Sequence, residues 1–337
     1  MPVGSSAAGR ILHLAPPPLR LRFRHGVYVD LRGYPDWQPY AAALVELPPA
    51  PHGWTGDEAR ILRVVTANRL LATLARDTDA IPDGAPPGWV WAHLGRSETL
   101  ALVPAELHGA FRHRGGTSDH GVPPGSGIRD AGAAVALRRS RTVTDDAVAK
   151  FEDWLGYRLP DGYRDLLAES NGGIPARAAV LPTGGVLVDQ PLFGLAAADR
   201  MFDLAYANLW LRDRLTADFL AIGYAQGGLL ILKVRGAGAG SVWHCDDDDA
   251  RDDDRYGPDV ICRDLLRPLA SDIHRFRSTL FEMPSTVTGY ADESIRSGAA
   301  RLVPSEALGA ALPRTHRRPW VTALASGAPA DLPGSPR

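Results

Sequence analysis

The break Pro86-Pro87-Gly88 followed by Trp89-Val90-Trp91-Ala92-His93 limits what this chain can fold into more than any other stretch. Proline and glycine end whatever precedes them, and the aromatic, β-branched run suits a strand. Gly95-Arg96-Ser97 reads as a turn and Thr99 to Val103 as the returning strand. Pro104 stands where a first helical residue would, since its missing N–H costs nothing there. Leu107 and Phe111, four apart, give a helix an apolar face, and Gly115-Gly116 ends it. The sequence therefore predicts a β-hairpin followed by a short helix, carrying His93, His108 and His113.

Three imidazoles on so small a unit are the donor type that holds a catalytic metal. His93 is expected at the end of the first strand, facing His108 on the helix. Five residues turn a helix through about 140° beyond a full turn, so His113 is expected past the regular helix. Ala92, beside His93, offers no donor atom.

The segment resembles the HNH/endonuclease VII superfamily, in its Trp-His-His toxin nuclease group. The matching residues are Pro87-Gly88-Trp89, Trp91-Ala92-His93, Leu102-Val103-Pro104, His108 and His113-Arg114-Gly115-Gly116, with Tyr34 to Tyr40 and Ala67-Asn68 as looser landmarks. The resemblance implies a ββα-metal, treble-clef-like domain over about 19–118. It also implies phosphodiester hydrolysis, with His93 as general base and His108 and His113 as ligands of one divalent ion (zinc, nickel or magnesium). The family's further metal histidine would occupy position 92, so the resemblance implies a degenerate site with no firmly held cofactor.

A chain of 337 residues allows two domains, each with its own core. The formal net charge is −2, and residues 1–120 hold 12 Arg, no Lys and 11 acids, so no overall basic character favours nucleic acid. Seven of the 10 histidines fall in that stretch, which points to a present or former metal site. Lys150 and Lys233 are the only lysines against 35 arginines, a compositional bias that weakens any reading of single arginines. Cys245 and Cys262 form no zinc-type or disulfide pattern, and no apolar run approaches the ~20 residues that span a bilayer. A cytoplasmic protein without a membrane partner is expected. Residues 1–18 are expected to be disordered, Leu19–Leu31 to form a hairpin, and Thr55 to Glu58 to open a helix through Leu74. Residues 119–143 read as a linker and 284–337 as a flexible Pro/Ala-rich tail.

From Thr144 the pattern changes. Thr144 caps a helix with Val148, Phe151 and Leu155 on one side, and Gly156 stops it. Pro160 opens a second helix, ended by Asn171-Gly172-Gly173. Strands follow at Val186–Val188, Phe219–Tyr224, Leu229–Val234 and Ser241–Cys245, and a last helix at about Pro268–Phe281. Helices, a meandering sheet and a closing helix make an α+β domain. The run Leu155-Gly156, Leu159-Pro160, Tyr163 and Asn171-Gly172-Gly173 resembles the SUKH superfamily, over about 144–283. That resemblance implies an α+β fold with a mainly antiparallel sheet flanked by helices, and a protein partner, typically a nuclease-type toxin that an immunity protein blocks.

Seven of the nine residues from Asp246 to Asp254 are Asp. They read as a solvated loop or as a lure imitating a phosphate backbone, with Asp246, Asp247, Asp248, Asp249, Asp252, Asp253 and Asp254 as candidate partner contacts. The lure would face either a foreign toxin or the chain's own first domain. The spacing of an EF-hand is absent, as are a nucleophile elbow and a phosphate-binding loop. Three functions remain: a protein of bacterial toxin–immunity systems that neutralises a nuclease-type toxin, an active endonuclease restrained by its own SUKH domain, or a scaffold. Nucleic acid would be a partner only if the first domain is active.

Overall fold

The computed structural model describes residues 8–74, 81–95, 97–111, 113, 127–247 and 256–326. β1 (Arg10–Leu12) and β2 (Val27–Val29) pair antiparallel around α1 (Pro17–Arg22). This corrects two expectations, disorder over residues 8–18 and a hairpin over Leu19–Leu31; residues 1–7 lie outside the described residues. Prolines at the first helical positions open α1, and Leu19 and Phe23, four apart, are both fully buried while Leu21 is 80% exposed. The governing period is thus helical rather than alternating.

β3 (Ala43–Glu46) precedes α2 (Gly56–Leu74). Thr55 and Glu58 cap α2 reciprocally, each side chain accepting from the other's backbone N–H at 2.9 and 3.1 Å. β4 (Trp89–His93), β5 (Thr99–Pro104) and α3 (Ala105–Ala110) then form the hairpin and helix.

In the C-terminal half, β6 (Leu137–Arg138) leads to α4 (Asp145–Leu155), capped by the Thr144 side chain and closed by Gly156 at φ 76°. α5 (Asp161–Ser170) ends at Asn171, also left-handed. β7 (Ile174–Pro175), β8 (Ala179–Leu181), β9 (Val186–Val188) and α6 (Leu204–Trp210) follow. β10 (Phe219–Ala225), β11 (Gly228–Lys233) and β12 (Val242–Asp246) lead through a helical turn, α7 (Pro258–Val260), to β13 (Arg267–Ala270) and α8 (Ile273–Ser278). The main sheet is antiparallel, in the order β10-β11-β12-β13. The expected closing helix over Pro268–Phe281 therefore begins as strand and is helical only over Ile273–Ser278. Pro268 sits on an edge strand, where a missing N–H is tolerated, and Asp272 starts the helix by accepting from Arg275 N.

The segment after residue 284 is not a loose tail through residue 326. α9 (Ser285–Arg296) buries Val287 and Ala291, four apart, in one core cluster with α2 residues. β14 (Arg301–Leu302) pairs with β3, and α10 (Pro319–Ser326) follows. The N-terminal sheet has the order β14-β3-β5-β4, so the chain's end completes its first domain. The expected linker is likewise built in over its described part, since β6 pairs with β7 and Ala134 bridges to Phe281. Nor does each half bury a private core. One cluster runs from Leu14, Trp37 and Phe111 to Leu192, Tyr224 and Leu229.

Candidate functional site

Strand parity decides which residues can share a site. Val90 and Ala92 belong to the cluster containing Trp37, Leu107 and Phe111, whereas Trp89 and Trp91 belong to the one containing Ile61 and Val65 of α2. His93 follows the odd residues. It lines a cavity with Arg60, Ile61, Val64 and Trp91 whose room is about 10 Å³, space for one water molecule at most. The expectation that His93 faces His108 is thus corrected: Ala92, not His93, points to the α3 side.

His108 and His113 do come together. α3 ends at Ala110 and Phe111 is extended, so His113 escapes the helical geometry that would separate the two rings. Their centroids lie 4.9 Å apart, and Trp37 packs against both at 5.4 and 5.2 Å. His113 Nδ1 lies 2.7 Å from the Phe111 carbonyl oxygen, which can only accept, so the proton sits on Nδ1. His108 Nδ1 lies 3.4 Å from Asp247 Oδ2. Such outer partners orient metal-binding imidazoles. A hydrolytic zinc site, however, takes three protein donors and an open position. Ala92 supplies none, and the described residues contain no group of three or more metal-binding side chains. Among the described residues the donors do not make up a complete hydrolytic metal centre.

A carboxylate beside His108 does not fill the gap, because it is already committed. Asp247 Oδ1 accepts from Arg214 Nη1 at 2.7 Å, and Asp247, Arg214 and His108 are all 98–99% buried. Burial would push the Asp247 carboxyl up, but Arg214 and His108 together hold it below the ordinary value. The same guanidinium donates to Gly109 O of α3 at 2.6 Å, placing positive charge at the helix C-terminus. Asp246 accepts from Arg267 at 2.8 Å and lies 3.5 Å from Arg60 of α2. These two aspartates are buried against Arg60 and His108 of the first domain, so at these two positions the acidic run faces the chain's own first domain and not outward to a foreign toxin. Asp248, Asp249, Asp252, Asp253 and Asp254 lie outside the described residues.

β4 is an edge strand, and an edge leaves backbone donors that must find partners. Side chains of the C-terminal half supply them. Gln226 Oε1 accepts from Trp91 N at 3.0 Å and Gln190 Oε1 from Gly88 N at 2.8 Å. Asp189 accepts from Ala85 N at 2.9 Å and from Gln226 and Asn68. Burial raises the Asp189 carboxyl to about 6, against the opposing pull of these donors. The turn between β10 and β11 and the end of β12 therefore close over the hairpin and helix. Sequence reasoning missed Arg214, Gln226, Asp189 and Gln190. Polar Asp189-Gln190 directly after the apolar run Val186–Val188 is a signal that could have been followed; nothing marks Arg214.

The structure thus joins a two-stranded hairpin and helix bearing buried imidazoles to an α+β unit that clasps it through carboxylate and amide side chains. Comparison with known families gives the same pairing. Residues 81–120 match the model of a nuclease of the HNH/ENDO VII superfamily with conserved WHH, here Trp91-Ala92-His93, and residues 142–272 match that of the SMI1 / KNR4 family (SUKH-1). The search of curated proteins returned no match. Among the described residues, no helix is long and apolar enough to cross a membrane.

Proposed function

We propose that this is a protein of bacterial toxin–immunity systems whose SUKH-like half recognises nuclease-type histidine folds, with its own N-terminal half as resident occupant. The observation that carries this reading is Asp247, buried between His108 of one half and Arg214 of the other. The N-terminal half, short of a donor at Ala92, then serves as a decoy or specificity element rather than an enzyme. Its partner is a nuclease-type toxin that competes for the same face, in the cytoplasm.

The second reading is an active nuclease held shut by the same contacts, favoured by the acceptors that orient the Nδ1 protons of His108 and His113. Plasmid DNA and RNA incubated with the full chain and magnesium, nickel or zinc separate the two. The first reading expects no cleavage from the native protein or from a Gln226→Ala/Asp247→Asn variant, and protection of cells that express a Trp-His-His nuclease. Metal-dependent cleavage unmasked in that variant and abolished by His108→Ala establishes the second instead. Failure to protect, with no cleavage, removes both.

A further inference from the structure

Several exposed arginines on this protein are paired with a carboxylate, as in Arg129–Glu58, Arg177–Glu282, Arg235–Asp218 and Arg301–Glu46. In one region arginines without such a partner gather along a groove. Two adjoining grooves, of about 760 and 470 Å³, meet at Arg22 and Thr315. The first is lined by Arg22, Arg24, Arg314 and Arg317 with no carboxylate, and the second adds Arg200 and Arg318 with Asp199 as its one acid. Arg24, Arg314 and Arg317 are exposed and make no ion pair among the described residues. Chain segments almost 300 residues apart, α1 and the stretch before α10, build this surface, so it is a product of the fold and not of local composition.

His316, buried beneath the second groove, has its pKa held down to about 4, by burial first and then by Arg22 and Arg318. Glu106, 3.5 Å from His316 Nε2, is already taken up by Arg22. Arginines brought together with fewer counter-charges than their number repel one another, and a ligand carrying successive negative charges relieves that repulsion. Two open grooves joined end to end suit a chain of anions rather than a single ion. Guanidinium planes match phosphate oxygens in pairs and also stack on bases, as the exposed His25 ring can.

We propose that this groove binds the phosphodiester backbone of single-stranded nucleic acid. The site is separate from the histidine cluster. Glu106, which holds Arg22, and His108 are two apart on α3 and so about 200° apart around it, on opposite faces. Binding here needs neither a metal nor catalysis, so it stands or falls apart from the reading of the histidine site.

The test uses the full-length protein and fluorescein-labelled single-stranded DNA and RNA oligonucleotides, read by anisotropy with EDTA present and at several salt concentrations. Joint substitution Arg24→Glu, Arg314→Glu and Arg317→Glu is expected to weaken binding by more than about tenfold and to lower the salt slope by about 2, at roughly 0.7 per lost contact. Arg275→Glu, on the exposed surface of α8, is expected to leave both unchanged. Unaltered circular dichroism and melting confirm that the triple variant folds. DNA and RNA arms identify which strand is preferred. No binding at low salt, equal binding by the triple variant, or association with anionic vesicles alone each overturns the proposal.

Discussion

Asp247 Oδ2 lies 3.4 Å from His108 Nδ1, joining the end of the last central strand of the C-terminal sheet to the helix of the hairpin–helix motif. Arg214 completes the contact from the other side of the carboxylate. Removing one member of a buried charged set strands the others. Asp247→Ala should therefore cost about 3–5 kcal/mol of stability, measured by urea unfolding, because Arg214 is left charged in a dry site. A loss below about 1 kcal/mol would show that the contact contributes little.

Gln226 bridges Trp91 N and the Asp189 carboxylate. Gln226→Ala leaves both groups buried without that partner, at a cost of about 1–3 kcal/mol. Hydrogen exchange provides the specific readout: the Trp91 amide should lose protection first. Uniform loss across the chain would argue against a local role.

Ala92 packs opposite Ala101 on the α3 side of the sheet. Ala92→His should raise affinity for zinc or nickel in titration calorimetry, since it returns an imidazole to the side of His108 and His113. Overpacking should lower stability by about 1–3 kcal/mol in the apo protein. No change in metal affinity would mean that position 92 does not face a shared site.

Two buried groups should make stability respond to pH in opposite senses. His316 has a folded pKa of about 4 against an ordinary 6.5, so the unfolded chain alone takes up that proton between them. Its contribution is present above 6.5 and is lost as pH falls towards 4. Asp189, raised from 3.8 to about 6, behaves inversely: its contribution is present at low pH and is lost as pH rises through 6. His316→Phe should leave a profile that declines from pH 4 to 6, read from urea midpoints. A profile parallel to the native one would refute this assignment.

The tail beyond residue 284 carries a separate prediction. Ala291→Asp places a charge in the fully buried contact between α9 and α2, and should cost more than about 3 kcal/mol. An equal melting temperature would return this segment to the status of an appendage.

Much of the local structure was legible in the sequence, because it obeys rules that act over a few residues. The hairpin and α3 follow from proline, glycine and β-branched runs, and α4 and α5 from their caps and apolar periods. Parity along β4 was also readable, and it would have separated His93 from His108 at once. What was hidden depends on distant partners. Nothing near Asp247 in sequence announces Arg214 or His108, and a run of aspartates reads as solvated until its counter-charges are known. The tail failed for a related reason: α9 has a modest apolar stripe whose value lies in the α2 surface that it covers.

The Trp91 amide of β4, and those of Gly88 and Ala85 on its approach, are met by glutamine and aspartate side chains rather than by a neighbouring strand. A seal of this kind has no ladder to unzip, and each contact can be released singly as its side chain turns away. While it holds, no second polypeptide can extend the sheet along that margin, so the halves guard one another against uncontrolled self-association.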